Sequence, residues 1–284
     1  MKLVTYRYRG KETFGVVVGD GVIDAGSLLA GAGLTSIRAV LAAGALNRVA
    51  EAARGRAPDA RLADIEFVPV IPDPPRIFCI GLNYEAHRVE TGRDRPQFPP
   101  VFVRFPESQV GHRQPLVKPL ESNKFDYEGE LAVIIGKAGR RVAADQAMSH
   151  VAGFSCYHDG SVRDWQGHAQ QWTPGKNFPG TGGFGPWLVT TDEMPADLNS
   201  VTVVTRVNGA EMQRGALNDL IHSVPALIAY ISTFTPLVPG DVIATGTPGG
   251  VGFVRKPPVY LKAGDAVEVE IAGVGTLFHP VIAE

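Results

Sequence analysis

Glu128-Gly-Glu130 opens an unbroken apolar run, Leu131-Ala-Val-Ile-Ile135, that stops at Gly136 and Lys137. The run predicts a buried strand, and residues two apart along a strand face the same way, so the two carboxylates project together at its mouth. Adjacent like charges beside a buried segment are costly, so a fold built round this strand must bring positive charge to that point. A hard divalent cation held by oxygen ligands meets the requirement and implies metal-assisted chemistry. An edge strand carrying both Glu side chains on its solvent face is the other reading.

The rest of the chain is punctuated to match. Its 33 Gly and 22 Pro in 284 residues predict many turns joining short strands, with few long helices. Val4–Tyr8 and Thr13–Val18 read as paired strands, and Gly19-Asp20-Gly21 supplies hairpin turn chemistry. Residues 36–55 are Ala- and Leu-rich with apolar positions at helical spacing. Val68-Pro-Val-Ile-Pro-Asp-Pro-Pro75 is a stiff connector, which divides a small α+β unit over residues 1–70 from a larger β-rich domain over 71–284. In the latter, strands are expected at Arg76–Gly81, Pro99–Phe105, Glu130–Ile135, Val151–His158, Leu188–Thr190, Val201–Val207, Val242–Thr245 and Val267–Ile271, and a helix over Asp219–Thr233.

Charge and composition exclude several classes of function. A net charge of -2 offers no basic field for nucleic acid or anionic membrane. No apolar run approaches a membrane span, and the N-terminus alternates like a strand without a signal-peptide core. Cys79 and Cys156 are too few for a disulfide framework and sit among apolar neighbours as inert thiols. A soluble cytoplasmic protein is the expectation.

Three further constellations bear on chemistry. Asp159 ends an apolar strand and precedes Gly160. With Glu128 and Glu130 it would complete an all-oxygen set suited to Mg²⁺ or Mn²⁺ rather than Zn²⁺, whereas alone it reads as a turn or cap acid. His87 and Glu90, three apart at the start of a short helix, can meet on one face. They form either a carboxylate-oriented general base or an ordinary solvated pair. Gly175-Lys176 leads a glycine-dense loop to Gly185-Pro-Trp187 that lacks phosphate-loop order. Close backbone approach to a small ligand, with Lys176 neutralising an anion, suits it. Thr245-Gly-Thr-Pro-Gly-Gly-Val-Gly252 offers hydroxyls and amides that could grip a carboxylate, or a plain turn. The remaining histidines read as surface or satisfied side chains, and Trp165, Trp172 and Trp187 as core or pocket wall.

In order, Gly81-Leu-Asn-Tyr84 with His87 and Glu90, Asp126-Tyr-Glu-Gly-Glu-Leu-Ala-Val133, Asp159 with Ser161-Val-Arg-Asp-Trp-Gln166, Gly175-Lys176, Val207-Asn-Gly209, Pro239-Gly-Asp-Val-Ile243 and Thr245–Gly252 resemble the fumarylacetoacetate hydrolase family. The resemblance is to the branch of acylpyruvate or 2,4-diketo acid hydrolases, and it covers roughly three quarters of the chain, from Arg76 on. It implies a mixed β-roll catalytic domain beside a small N-terminal α+β domain, often in a homodimer. It implies Glu128, Glu130 and Asp159 as ligands of Mg²⁺ or Mn²⁺ (Ca²⁺ in a crystal). His87 and Glu90 become a water-activating dyad on a mobile lid, Lys176 a catalytic neighbour of the metal, and Arg104, Arg163, Gln166 and Thr245 the substrate-binding set.

The activity implied is hydrolytic C–C cleavage of an acylpyruvate-type 2,4-dioxo acid to pyruvate and a carboxylic acid, in aromatic or sugar-acid catabolism. The same site would also serve an oxaloacetate decarboxylase or tautomerase, an isomerase, or a 2-oxo-4-enoate hydratase. A non-catalytic oxo-acid binding protein is the reading from another class. The chain departs from the family pattern at His158, where Asn is common, at Arg104, where Lys is common, and at Pro179 and Gly183. Those changes concern the pocket and its substrate rather than the metal.

Overall fold

The computed structural model describes residues 1–284. Frequent glycine and proline yield nineteen strands and seven α-helices, the longest helix being Val224–Phe234. Twelve strands form one mixed sheet and five a second, the architecture of a β-rich α+β protein. No helix is long and apolar enough to cross a membrane.

The Gly129–Ile135 strand runs antiparallel between Val151–His158 on one side and Val242–Ala244 on the other, near the middle of the large sheet. It is buried throughout, and its side chains serve both faces. Leu131, Val133 and Ile135 enter an apolar cluster with Val203, Val269 and Leu277 of the second sheet. Ala132 and Ile134 join a cluster on the opposite face with Leu3, Val40 and Val49. By strand alternation Glu128 and Glu130 lie on the Ala132 face, at the strand's open end.

The opening residues are built into the same sheet. Lys2–Tyr8 pairs with Lys11–Val18, as expected, and also with Gly182–Thr190 through Leu3↔Leu188. The hairpin at Gly19 turns with a positive φ of 58°, which glycine adopts without strain. Beyond the proline connector one apolar cluster still holds Leu3 together with Ala132.

Three elements differ from expectation. The helix expected over Asp219–Thr233 begins only at Val224, because Pro225 occupies the first turn, where its missing N–H costs nothing. Ile221 N instead donates to Asn83 O at 2.7 Å. The Ala-rich stretch splits into Ile37–Ala42 and Leu46–Ala53 at Gly44, whose φ is 60°. The glycine-dense segment before Trp187 is partly the strand Gly182–Thr190. A Cβ on Gly183 would lie 2.1 Å from His279 Nε2, and one on Gly182 2.8 Å from Arg104 Nη2. Those glycines make room for protein side chains, in place of the ligand approach expected of them.

Candidate metal and acid–base site

Local constraints bring the acidic residues together. A Cβ on Gly129 would sit 2.1 Å from Thr205 Oγ1, so the residue between the two glutamates has to be glycine. Asp159 N donates to Glu128 O at 2.8 Å, which aligns the end of the neighbouring strand with the pair. Gly160 lets the chain turn there, since a Cβ would meet Thr181 O at 2.0 Å. One carboxylate oxygen each from Glu128, Glu130 and Asp159 then lie within 4.8 Å of one another, and all three residues are buried. The edge-strand reading of the Glu pair is thereby removed.

Protein cations cover this charge unevenly. Lys176 Nζ donates to Glu128 Oε2 at 2.7 Å and to Asp159 Oδ2 at 2.6 Å. Gly175 permits this, because its Cα packs where a Cβ would lie 2.3 Å from Gln166 N. Arg163 Nη2 donates to Glu128 Oε1 at 2.6 Å, and Arg104 Nη1 to Asp159 Oδ1 at 2.7 Å. Burial opposes the charge on Glu128, yet Arg163 and Lys176 outweigh it and hold this carboxyl well below the usual range. Glu130 touches no cation and accepts only from Gly246 N at 2.9 Å. Burial, then Asp159 and Glu128, push its carboxyl well above the usual range. An all-oxygen trio with one carboxylate left without a countercharge fits a hard divalent cation. These three residues would hold it.

His87 lies on the helix Glu85–Thr91. Its Nδ1 donates to Glu90 Oε1 at 2.7 Å, which leaves Nε2 as the nitrogen free to accept a proton, and the residue lines the cavity. The other Glu90 oxygen accepts from Gly250 N at 2.7 Å. The Thr245–Gly252 loop therefore does grip carboxylates, but the protein's own: Glu130 through Gly246, Glu90 through Gly250, and Asp126 through Gly252 N at 2.8 Å. Asp126 in turn accepts from Arg163 Nε at 2.8 Å, so a buried acid ties this loop to the guanidinium that serves Glu128. Its place at the head of the acidic motif was the only signal of that role in the sequence.

The trio and His87 line one cavity of about 800 Å³, in the usual range for small-molecule sites. Lys176, Arg163 and Gln166 line it as well. Gln166 Oε1 accepts from Arg163 Nη1 at 2.9 Å, leaving its amide NH₂ for a ligand. Arg104 and Thr245, expected around the substrate, lie outside the lining. Arg104 is 2% exposed and also donates to Gly160 O, Thr181 Oγ1 and Ser108 Oγ, so its guanidinium orients Asp159 from behind. Thr245 Oγ1 is spent on Leu131 O at 3.1 Å, inside the sheet. Thr247 lines the cavity in its place, because the left-handed backbone of Gly246 (φ 103°) between the two threonines breaks the strand alternation that would otherwise keep them on one face. Phe253 lines it too, and Arg163 stacks over its ring at 4.4 Å.

Fold and site together define a candidate divalent-metal site built on paired glutamates and a third carboxylate, with a histidine–glutamate pair in the same cavity. Residues 76–282 match the model of the fumarylacetoacetate (FAA) hydrolase C-terminal domain, and the chain belongs to that family. The human mitochondrial oxaloacetate tautomerase FAHD2A is 42% identical over 222 residues, 78% of this chain and 70% of its own. The Xenopus laevis mitochondrial oxaloacetate tautomerase fahd2 is 43% identical over 222 residues, 78% of this chain and 69% of its own. Maleylpyruvate hydrolase from Sphingobium sp. SYK-6, solved with manganese(II) and pyruvate, superposes with a TM-score of 0.82 at 30% identity, covering 100% of this chain and 99% of that one.

Proposed function

We propose that this chain is a divalent-cation-dependent enzyme of 2-oxo acids, and that its reaction is the keto–enol tautomerisation of oxaloacetate. The observation that carries the reading is His87 facing the Glu128–Glu130–Asp159 trio across one cavity. Mg²⁺ or Mn²⁺ on the trio would act as a Lewis acid toward the carboxylate and 2-oxo oxygens of the bound acid, making its C3–H more acidic. His87 Nε2 takes the C3 proton of the keto form, and Glu90 on Nδ1 offsets the imidazolium charge. The same proton returns to the 2-oxo oxygen, giving the enol, so no water or co-substrate is consumed. Lys176 and Arg163 keep Glu128 ionised throughout, and Arg104 holds Asp159 in register. The identity with two oxaloacetate tautomerases over 78% of the chain supports this ranking over hydrolysis.

Hydrolytic cleavage of an acylpyruvate is the second reading. It is favoured by the His87–Glu90 pair, which can take a proton from water as readily as from carbon, and by the likeness to maleylpyruvate hydrolase. Loss of enol absorbance from oxaloacetate separates the two when run beside a pyruvate assay on an acylpyruvate panel. The tautomerase reading expects Mg²⁺- or Mn²⁺-dependent acceleration of enol exchange with no pyruvate formed. Pyruvate plus a second acid, without accelerated exchange, assigns hydrolysis instead.

A further inference from the structure

We infer that Arg93 is the residue that reads the substrate's second carboxylate, the one at the end of the molecule away from the 1-carboxylate. The inference rests on the 2-oxo acid reading above and names the residue that would set specificity within it. Three cations line the cavity: Lys176, Arg163 and Arg93. Lys176 is spent on Glu128 and Asp159, and Arg163 on Glu128 and Asp126. Arg93 alone has no carboxylate partner.

Its backbone is nonetheless fixed. Gly92 ends the His87 helix in the left-handed region at φ 66°, and Arg93 N donates back to Arg88 O at 3.3 Å. Arg88 Nη1 closes the same turn by donating to Arg93 O at 2.7 Å. The main chain is thus held at both its N–H and its carbonyl, while the guanidinium is left at the cavity rim for a ligand. Such preorganisation with an unspent donor fork suits a carboxylate. The neutral side chains of Gln166, Gln170 and Trp172 line the same cavity.

Arg93 also follows the helix of His87, so the residue that reads the tail and the residue that moves the proton are placed by one short element.

The test is calorimetric binding of 2-oxoglutarate and of 2-oxopentanoate, its counterpart lacking the distal carboxylate, to the Mn²⁺-loaded full chain. The wild type is expected to bind 2-oxoglutarate roughly tenfold tighter or better. In Arg93→Gln the ratio collapses toward one through loss of dicarboxylate affinity, and in Arg93→Lys it is partly kept. A wild-type ratio near one, or a ratio unchanged in Arg93→Gln, overturns the inference. Failure to bind either acid overturns the 2-oxo acid reading itself and this inference with it. Unchanged thermal unfolding of Arg93→Gln separates lost recognition from lost folding.

Discussion

Lys176→Met removes one positive charge from the most crowded part of the structure, and its consequences differ with and without a metal. In the wild type the ammonium lies 2.7 Å from Glu128 and 2.6 Å from Asp159, with all three side chains buried. The methionine keeps the length and bulk of the stem but leaves two desolvated carboxylates short of a partner, beside Glu130, which has none. Breaking a buried ion pair by deleting one partner costs about 3–5 kcal/mol. For a chain of this size about 2 °C of Tm accompanies each kcal/mol, so melting in EDTA should fall by roughly 6–10 °C. A divalent cation bound by the same carboxylates replaces the lost charge twice over, so most of that fall is recovered on saturation with Mn²⁺. The metal-induced rise in Tm is therefore larger in the variant than in the wild type. Differential scanning calorimetry in EDTA and across a Mn²⁺ titration reads both quantities. The deficit in EDTA also shrinks at lower pH, because Glu130, with its carboxyl raised by burial, binds a proton more readily folded than unfolded. An equal loss of Tm with and without Mn²⁺ would refute the argument, since Lys176 would then be holding structure for some reason other than carboxylate charge.

His87→Ala should lower turnover by about 10²–10⁴-fold while Mn²⁺ affinity stays as in the wild type, and normal turnover would remove the dyad from the mechanism. Burial pulls His279 down to about 4 and His112 to about 3, so both stay neutral in the folded protein where the unfolded chain would protonate them. Stability from them is present above pH 6.5 and lost toward pH 4, about 3 kcal/mol for His279 alone. Chemical denaturation from pH 7 to pH 4 should accordingly show a steeper loss for wild type than for His279→Asn. Gly252→Ala should unfold or strongly destabilise the chain, because its Cβ would lie 1.8 Å from the backbone oxygen of Val259, and a soluble variant of wild-type Tm would contradict that packing.

What could be read without the structure follows from the range of the interactions involved. Glu128 and Glu130 declare their common face through the two-residue period of a strand, and His87 and Glu90 through the three-residue reach of a helix. Both relations are local, and both hold in the structure at the level of geometry. The β-rich class follows from how often glycine and proline interrupt the chain. Arg104 is different: its partner Asp159 is 55 residues away, and only the register of Val101–Arg104 beside Ile77–Ile80 turns its side chain inward to that acid. The family resemblance implies a substrate-binding arginine here, and the structure places its side chain behind the pocket. Thr245 and Thr247 are indistinguishable by type, and the left-handed turn of the backbone at Gly246 between them, invisible in the residue pattern, leaves only Thr247 on the cavity.

The glycines carry a related lesson about what a cleft-like sequence means. Gly-rich segments at residues 180–185 and 246–252 suggest room for a ligand, yet nearly all of that freedom is used internally. Gly182 and Gly183 admit Arg104 and His279, and the amides of Gly246, Gly250 and Gly252 bind Glu130, Glu90 and Asp126. A carboxylate held by a main-chain amide is oriented without being neutralised by a full charge. That distinction decides the chemistry of the three acids. Glu128 and Asp159 carry their own cations, Glu130 has only an amide, and so the trio is arranged in space while its charge is left unbalanced. Had an arginine stood where Gly246 donates, the set would be satisfied by the protein alone and would have little affinity for a metal. The loop's use of amides in place of cations is what keeps the acidic pair a binding site, and Gly246→Ala, with its φ of 103°, would disturb that orientation before it changed any charge.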